Sequence, residues 1–141
     1  MGILGTGAGL PNDITLLMQI AILLLLLLGY IYKRSGKLRK HGLIMGSAVI
    51  LHLITIFAVM IPSFAINFSL LREPSVGVIV TWIHVIIGAT AIALGTRLVL
   101  SWRFSNEVAE CRKNKKVMRP LLVLWAASLI LGIAFYFIYY L

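Results

Sequence analysis

A chain of 141 residues is one domain by length, and a composition that is 61% hydrophobic and only 12% charged excludes an ordinary water-soluble globule. The net charge of +9 would raise nucleic acid as a partner in a soluble protein, but here the cations flank apolar runs instead of forming a basic face with interleaved aromatics, so no nucleic acid is expected. One cysteine, Cys111, excludes an internal disulfide framework and any multi-cysteine zinc or iron–sulfur centre.

The opening "MGILGTGAGLPND" lacks the positive region of a signal peptide, so no cleavage is expected, and "PND" reads as a helix start with Asp13 as N-cap. Met1, Gly2 and Thr6 match an N-myristoylation pattern that an outward N-terminus would make a chance match. Four apolar runs follow, over residues 14–32, 43–64, 76–100 and 121–141, each near the ~20 residues that cross ~30 Å of hydrocarbon as a helix. The leucine run at 23–28 is ordinary lipid-facing sequence. Short connections, "KRSGKLRK", "AINFSLLREPS" and "RFSNEVAECRKNKKVMR", make consecutive helices antiparallel neighbours. The expected fold is therefore all-α: a four-helix transmembrane bundle, up-down-up-down, forming a single integral membrane domain in contact with the lipid bilayer.

Lysine and arginine set the orientation. Lys33, Arg34, Lys37, Arg39 and Lys40 lie in the first connection; Arg97, Arg103, Arg112, Lys113, Lys115, Lys116 and Arg119 lie in or beside the third; Arg72 alone lies in the second. The positive-inside rule then places both basic connections in the cytoplasm and both termini outside, in a multi-pass protein of the cell (plasma) membrane.

Three histidines interrupt this pattern. From His41 to His52 a helix turns through about 1100°, within roughly 20° of eclipsed, so both lie on one face, His41 at the cytoplasmic boundary and His52 about 16 Å deeper. His84 lies about 12 Å along the third helix from Val76, so two antiparallel neighbours each carry one histidine near the midplane. Beside His84, Gly88, Ala91 and Gly95 leave a groove of small residues. Such stripes commonly serve helix packing alone, and Gly42-xxx-Gly46, Ala91-xxx-Gly95 and Ser128-xxx-Gly132 are open to that account. Histidine within a membrane span is costly and is by default a functional hypothesis; the bland alternative is a neutral pair bonded to backbone carbonyls or to hydroxyls such as Thr55 and Thr81.

A catalytic zinc ion wants three protein ligands, which this core does not offer, whereas haem iron takes two imidazoles. His52 and His84 are the candidate iron ligands of a b-type haem, with His41, Arg97 and Arg103 at the propionates and Gly88 and Gly95 lining the space for the macrocycle. Thr55, Thr81 or a carbonyl would complete the second layer of contacts. No Ser-His-Asp set, carboxylate pair, phosphate-binding loop or "HExxH" occurs, so hydrolase and nucleoside-triphosphatase chemistry lack their residues and an enzyme is not expected. Glu107, Glu110 and Cys111 read as solvated loop, and "CRKNKK" as that or as a site for anionic lipid or an acidic partner. Trp82, Trp102 and Trp125 fit interfacial belts and core packing; Tyr136, Tyr139 and Tyr140 anchor the outer end.

Over about the last hundred residues, "HGLIM" from His41, "WIHVIIGATAIALG" and "NKKVMRPLLVLWAASLILG", with Arg119, Trp125 and Gly132 at matching spacing, the chain resembles the domain-of-unknown-function 420 family of small membrane proteins. It departs from that family at Asn114, where members carry a further histidine. The resemblance implies a part in maturation of haem–copper respiratory oxidases, with such an oxidase or another membrane redox complex as partner. Two classes of function are open: a haem protein that carries electrons or hands on haem, and a cofactor-free assembly or scaffold subunit whose histidines are structural. A pore or transporter is a distant third, for want of a discontinuous helix pair; homo-oligomerisation is open as well.

The charge asymmetry yields a direct expectation for sidedness. Membrane-impermeant thiol reagents should label Cys111 only after cells are opened; labelling in intact cells reverses the orientation.

Overall fold

The computed structural model describes residues 3–5, 7–66, 75–102 and 113–140. Among these there is no strand, and four helical spans are long and apolar enough to cross a membrane: Leu10–Arg34, Leu38–Ala65, Val76–Trp102 and Lys115–Ile138. We name the helices α1 (Leu10–Arg34), α2 (Leu38–Thr55), α3 (Ile61–Ile66), α4 (Val76–Trp102) and α5 (Lys115–Tyr140); a π-helical turn, Ile56–Met60, joins α2 to α3 within the second span. Arg72, Arg103, Glu107, Glu110, Cys111 and Arg112 lie outside the described residues.

The helices outrun their apolar sequence at several ends, α1 beginning four residues before the expected 14 and α5 six before 121. A helix has no reason to stop at the hydrocarbon boundary, since its backbone groups still need partners there and Lys or Arg heads can reach the interface. The start of α1 differs in chemistry too. Gly9 is its N-cap and Pro11 sits in its first turn, where a missing N–H costs nothing. Asp13 is therefore not the cap: it is fully buried, with Leu4 N–H donating to Oδ2 at 2.9 Å and the Tyr136 hydroxyl donating to Oδ1. Asn12 donates to the Tyr140 hydroxyl at 2.9 Å, so the beginning of α1 and the end of α5 meet at one end of the bundle.

At the other end of α1, Gly36 takes φ +73°, a left-handed conformation that glycine adopts without Cβ strain, and the chain reverses over Ser35–Lys37 directly into α2. The π-helical turn also has a local cause. Pro62 brings no N–H and its ring crowds the carbonyl four residues back, that of Ala58, which lies inside the widened turn.

Packing forms a closed ring. α1 contacts α2 and α5, and α4 contacts the same two, so α2 and α5 stand at opposite corners. The core is Ile22 and Leu26 of α1, Ala48 and Val49 of α2, Ala91 and Ile92 of α4, and Leu121, Trp125 and Leu129 of α5. Its inward faces are uneven: α4 contributes Gly88, Ala91, Ile92 and Gly95, while α5 contributes the indole of Trp125. Hydrocarbon solvent gives no hydrophobic drive for helices to associate, so contact must come from close fit, which small residues permit.

A Cβ built on Gly95 would meet Trp125 Cζ3 at 3.2 Å and Val49 Cγ2 at 3.6 Å. Gly95→Leu should consequently cost about 1–3 kcal/mol by overpacking, read as earlier unfolding in a detergent titration. Ala93→Leu, on the exposed face of the same helix, should cost almost nothing; equal effects would mean that the Gly95 face looks at lipid.

Candidate functional site

Near the middle of the bundle α2, α4 and α5 bring three rings and one carbonyl together. Trp125 is buried, and its Nε1–H donates to His52 Nδ1 at 2.7 Å across the diagonal from α5 to α2. The two rings lie 5.7 Å apart at their centroids with planes 29° apart. Three residues further along α5, the backbone oxygen of Ser128 accepts from His84 Nδ1 at 3.0 Å. His52 and His84 thus reach α5 within one turn of each other, about 4.5 Å along its axis, which agrees with the matching depth read from their sequence positions.

These partners fix the ring protons. An indole N–H can only donate, so Nδ1 of His52 is an acceptor and its neutral ring carries hydrogen on Nε2. A carbonyl can only accept, so His84 carries hydrogen on Nδ1, and in the neutral ring its Nε2 has a bare lone pair. The neighbours are opposite tautomers.

The bis-imidazole haem expectation meets this geometry unevenly. A ligating imidazole normally presents one bare nitrogen and donates the other N–H to an acceptor. His84 has that arrangement and His52 has its reverse. Gly88 and Gly95, expected beside a macrocycle, face α5 instead: a Cβ on Gly88 would meet Ser128 Oγ at 3.1 Å, and Trp125 lies over Gly95. As arranged, the pair and its flanking glycines do not fit a haem held between them. Among the described residues no group of three or more His, Cys, Asp or Glu side chains is placed to hold a metal ion.

Of the other expected residues, His41 and Arg97 are described, and neither is bonded to His52 or His84. Arg97 is exposed on α4, and Arg103 lies outside the described residues. His41, expected at a propionate, is tied to the bundle, its Nδ1 donating to the Gly29 carbonyl of α1 at 2.8 Å. Thr55 and Thr81 do not serve the histidines: their hydroxyls return to their own helices, at Leu51 O (2.9 Å) and Gly77 O (2.8 Å), the usual recourse of threonine in a helix without water. The small-residue stripes carry helix contacts, with Trp102 over Gly42 and Gln19 over Gly132.

Trp125 is the residue sequence analysis undervalued. Four residues into the apolar run that starts at 121, it stands within reach of an interfacial belt by sequence, and only its burial in the structure shows that its N–H must find a partner in the core. No family model, curated protein or solved structure matches the chain.

If Trp125 and His52 are bonded as described, Trp125→Phe and His52→Phe should not be additive. A double-mutant cycle in detergent or bicelles should return a coupling of about 0.6–1.7 kcal/mol, from the average to the maximum for hydrogen bonds between membrane helices. A coupling of zero would mean that the rings are adjacent without being bonded.

Proposed function

We propose that this chain is a cofactor-free subunit of the cell membrane that supports assembly of a larger membrane complex, its histidines serving to lock the bundle. The observation that carries this is the Trp125–His52 hydrogen bond, which commits the side of the imidazole that a ligand would have to present through a donated proton. The bond from His84 to Ser128 adds a second tie on α5. The extensive apolar exterior, including Leu24, Ile50, Ile86 and Val123, is compatible with bilayer contact on every helix. The resemblance through "HGLIM", "WIHVIIGATAIALG" and "NKKVMRPLLVLWAASLILG" supplies the partner, a haem–copper respiratory oxidase during its maturation. Both termini face outward and the basic connections face the cytoplasm, on the asymmetry of lysine and arginine.

The haem alternative is favoured by one contact: the bare Nε2 of His84, oriented through a carbonyl as a ligating imidazole would be. On that account Trp125 releases His52, and His41 contributes to holding the propionates.

An absorption spectrum of protein expressed with haem supplied separates the two. The scaffold role predicts a colourless, folded protein whose deletion lowers the amount of assembled oxidase. A sharp Soret band with resolved α and β bands on reduction, lost in both His52→Ala and His84→Ala, overturns it in favour of the haem protein.

A further inference from the structure

At the end of the bundle where α1 turns into α2, a cavity of about 80 Å³ opens between α2, α4 and α5, with Tyr30 and Lys33 of α1 at its edge. Its walls change character along its depth. Lys33 and His41 stand at the turn end, and Val49, Gly95, Leu98, Leu121 and Trp125 form an apolar interior that reaches toward the middle of the bundle. From His41 to Val49 along α2, and from Met118 to Trp125 along α5, the lining spans about 11 Å of helical rise. Met45 and Met118 are among the lining residues, and their unbranched thioethers reshape around variable apolar occupants.

The polar end has its own chemistry. Because His41 gives its Nδ1 hydrogen to Gly29 O, its Nε2 is an acceptor, suited to a hydroxyl. Lys33 supplies a cation beside it, and Lys37 and Lys40 follow within the next seven residues of chain. A metal ion is disfavoured by these charges, and a neutral apolar guest would leave them unused. A cation and a hydroxyl acceptor at the rim of a hydrocarbon-lined cleft, at the end of a membrane span, match one class of occupant.

We propose that this cleft binds one anionic membrane lipid with a hydroxyl-bearing headgroup, its phosphate on Lys33, a headgroup hydroxyl on Nε2 of His41, and part of one hydrocarbon chain in the cavity below. The methionines and Val99 yield to widen the cleft around the chain. This site is separate from the Trp125–His52–His84 cluster in its polar groups and is independent of whether the chain assists an oxidase.

The tryptophans provide the readout, since Trp102 and Trp125 line the cleft while Trp82 packs on Phe64 elsewhere, ring centroids 5.6 Å apart. The full chain carrying Trp82→Phe is placed in nanodiscs doped with phosphatidylglycerol or phosphatidylcholine brominated in the acyl chain, and tryptophan quenching is followed against mole fraction. Phosphatidylglycerol should quench saturably with roughly fivefold preference, about the gain from one lysine near an anionic surface. Lys33→Glu should erase the preference. Val99→Phe, which keeps every charge but fills the cavity, should erase the saturable component; Leu98→Phe serves the same purpose if Val99→Phe fails to give a monodisperse helical protein. Equal quenching by the two lipids overturns the proposal. So does a preference that survives Lys33→Glu, and so does a saturable component that survives filling, which would mark lipid gathered around the basic end without entering it.

Discussion

The indole of Trp125 has one hydrogen to donate and no water to take it. In the middle of a membrane span an unsatisfied polar group costs several kcal/mol, so the N–H must be answered from within the bundle, and His52 on the opposite corner answers it at 2.7 Å. That requirement fixes how α5 is rotated about its own axis. With Trp125 turned inward, the buried side chains of Leu121, Ser128, Leu129 and Tyr136 fall on the same stripe, Leu121, Ser128 and Leu129 three or four residues from Trp125 and Tyr136 seven beyond Leu129. Ser128 then offers its carbonyl to His84, using a second lone pair beside the one that serves the helix. At the far end, Tyr136 meets the carboxylate of Asp13 and closes α5 against α1.

The same rotation explains the distribution of small residues. An indole at the centre of four helices needs a facing surface without bulk, and Gly95 and Ala91 supply it from α4. Gly132 makes room for the buried amide of Gln19, and Gly29 for the sulfur of Met45, with a hypothetical Cβ at 2.8 Å from Met45 Sδ. Polar groups therefore appear at three levels, Asp13 with Tyr136, His84 and His52 with α5, and His41 with Gly29. Apart from these groups, the Gln19 amide and the hydroxyls of Thr55 and Ser128, the core is hydrocarbon, so the polar levels tie α1 to α5, α2 and α4 to α5, and α2 to α1 in register while the intervening contacts contribute fit.

The spans were legible because hydrocarbon thickness dictates length and composition together: four runs of about twenty apolar residues leave few other folds. The shared depth of His52 and His84 was legible from helical rise. What lies beside each residue was not. Periodicity reveals an inward face only when the outward face is polar, and α4 is apolar on all sides, so nothing in its pattern says whether the Gly88–Gly95 stripe meets a ligand, lipid or another helix. It meets Trp125 and Ser128. Asp13 was expected at a cap because local rules see only neighbours in sequence, whereas its partner Tyr136 is 123 positions away. Thr55 and Thr81 each lie three residues from a histidine in sequence, but a threonine hydroxyl in a helix reaches the carbonyl four residues back more readily than a neighbouring ring.

Ring tautomers test the account most directly, because they follow from the hydrogen bonds alone. Nitrogen-15 NMR of histidine-labelled protein in lipid, assigned with His41→Gln, His52→Gln and His84→Gln variants, reports which ring nitrogen carries hydrogen. The Trp125 clasp predicts a neutral His52 protonated at Nε2 and a neutral His84 protonated at Nδ1. Finding both rings protonated at Nδ1, each with a bare Nε2, would contradict it and would describe instead a pair of imidazoles prepared for a shared ligand.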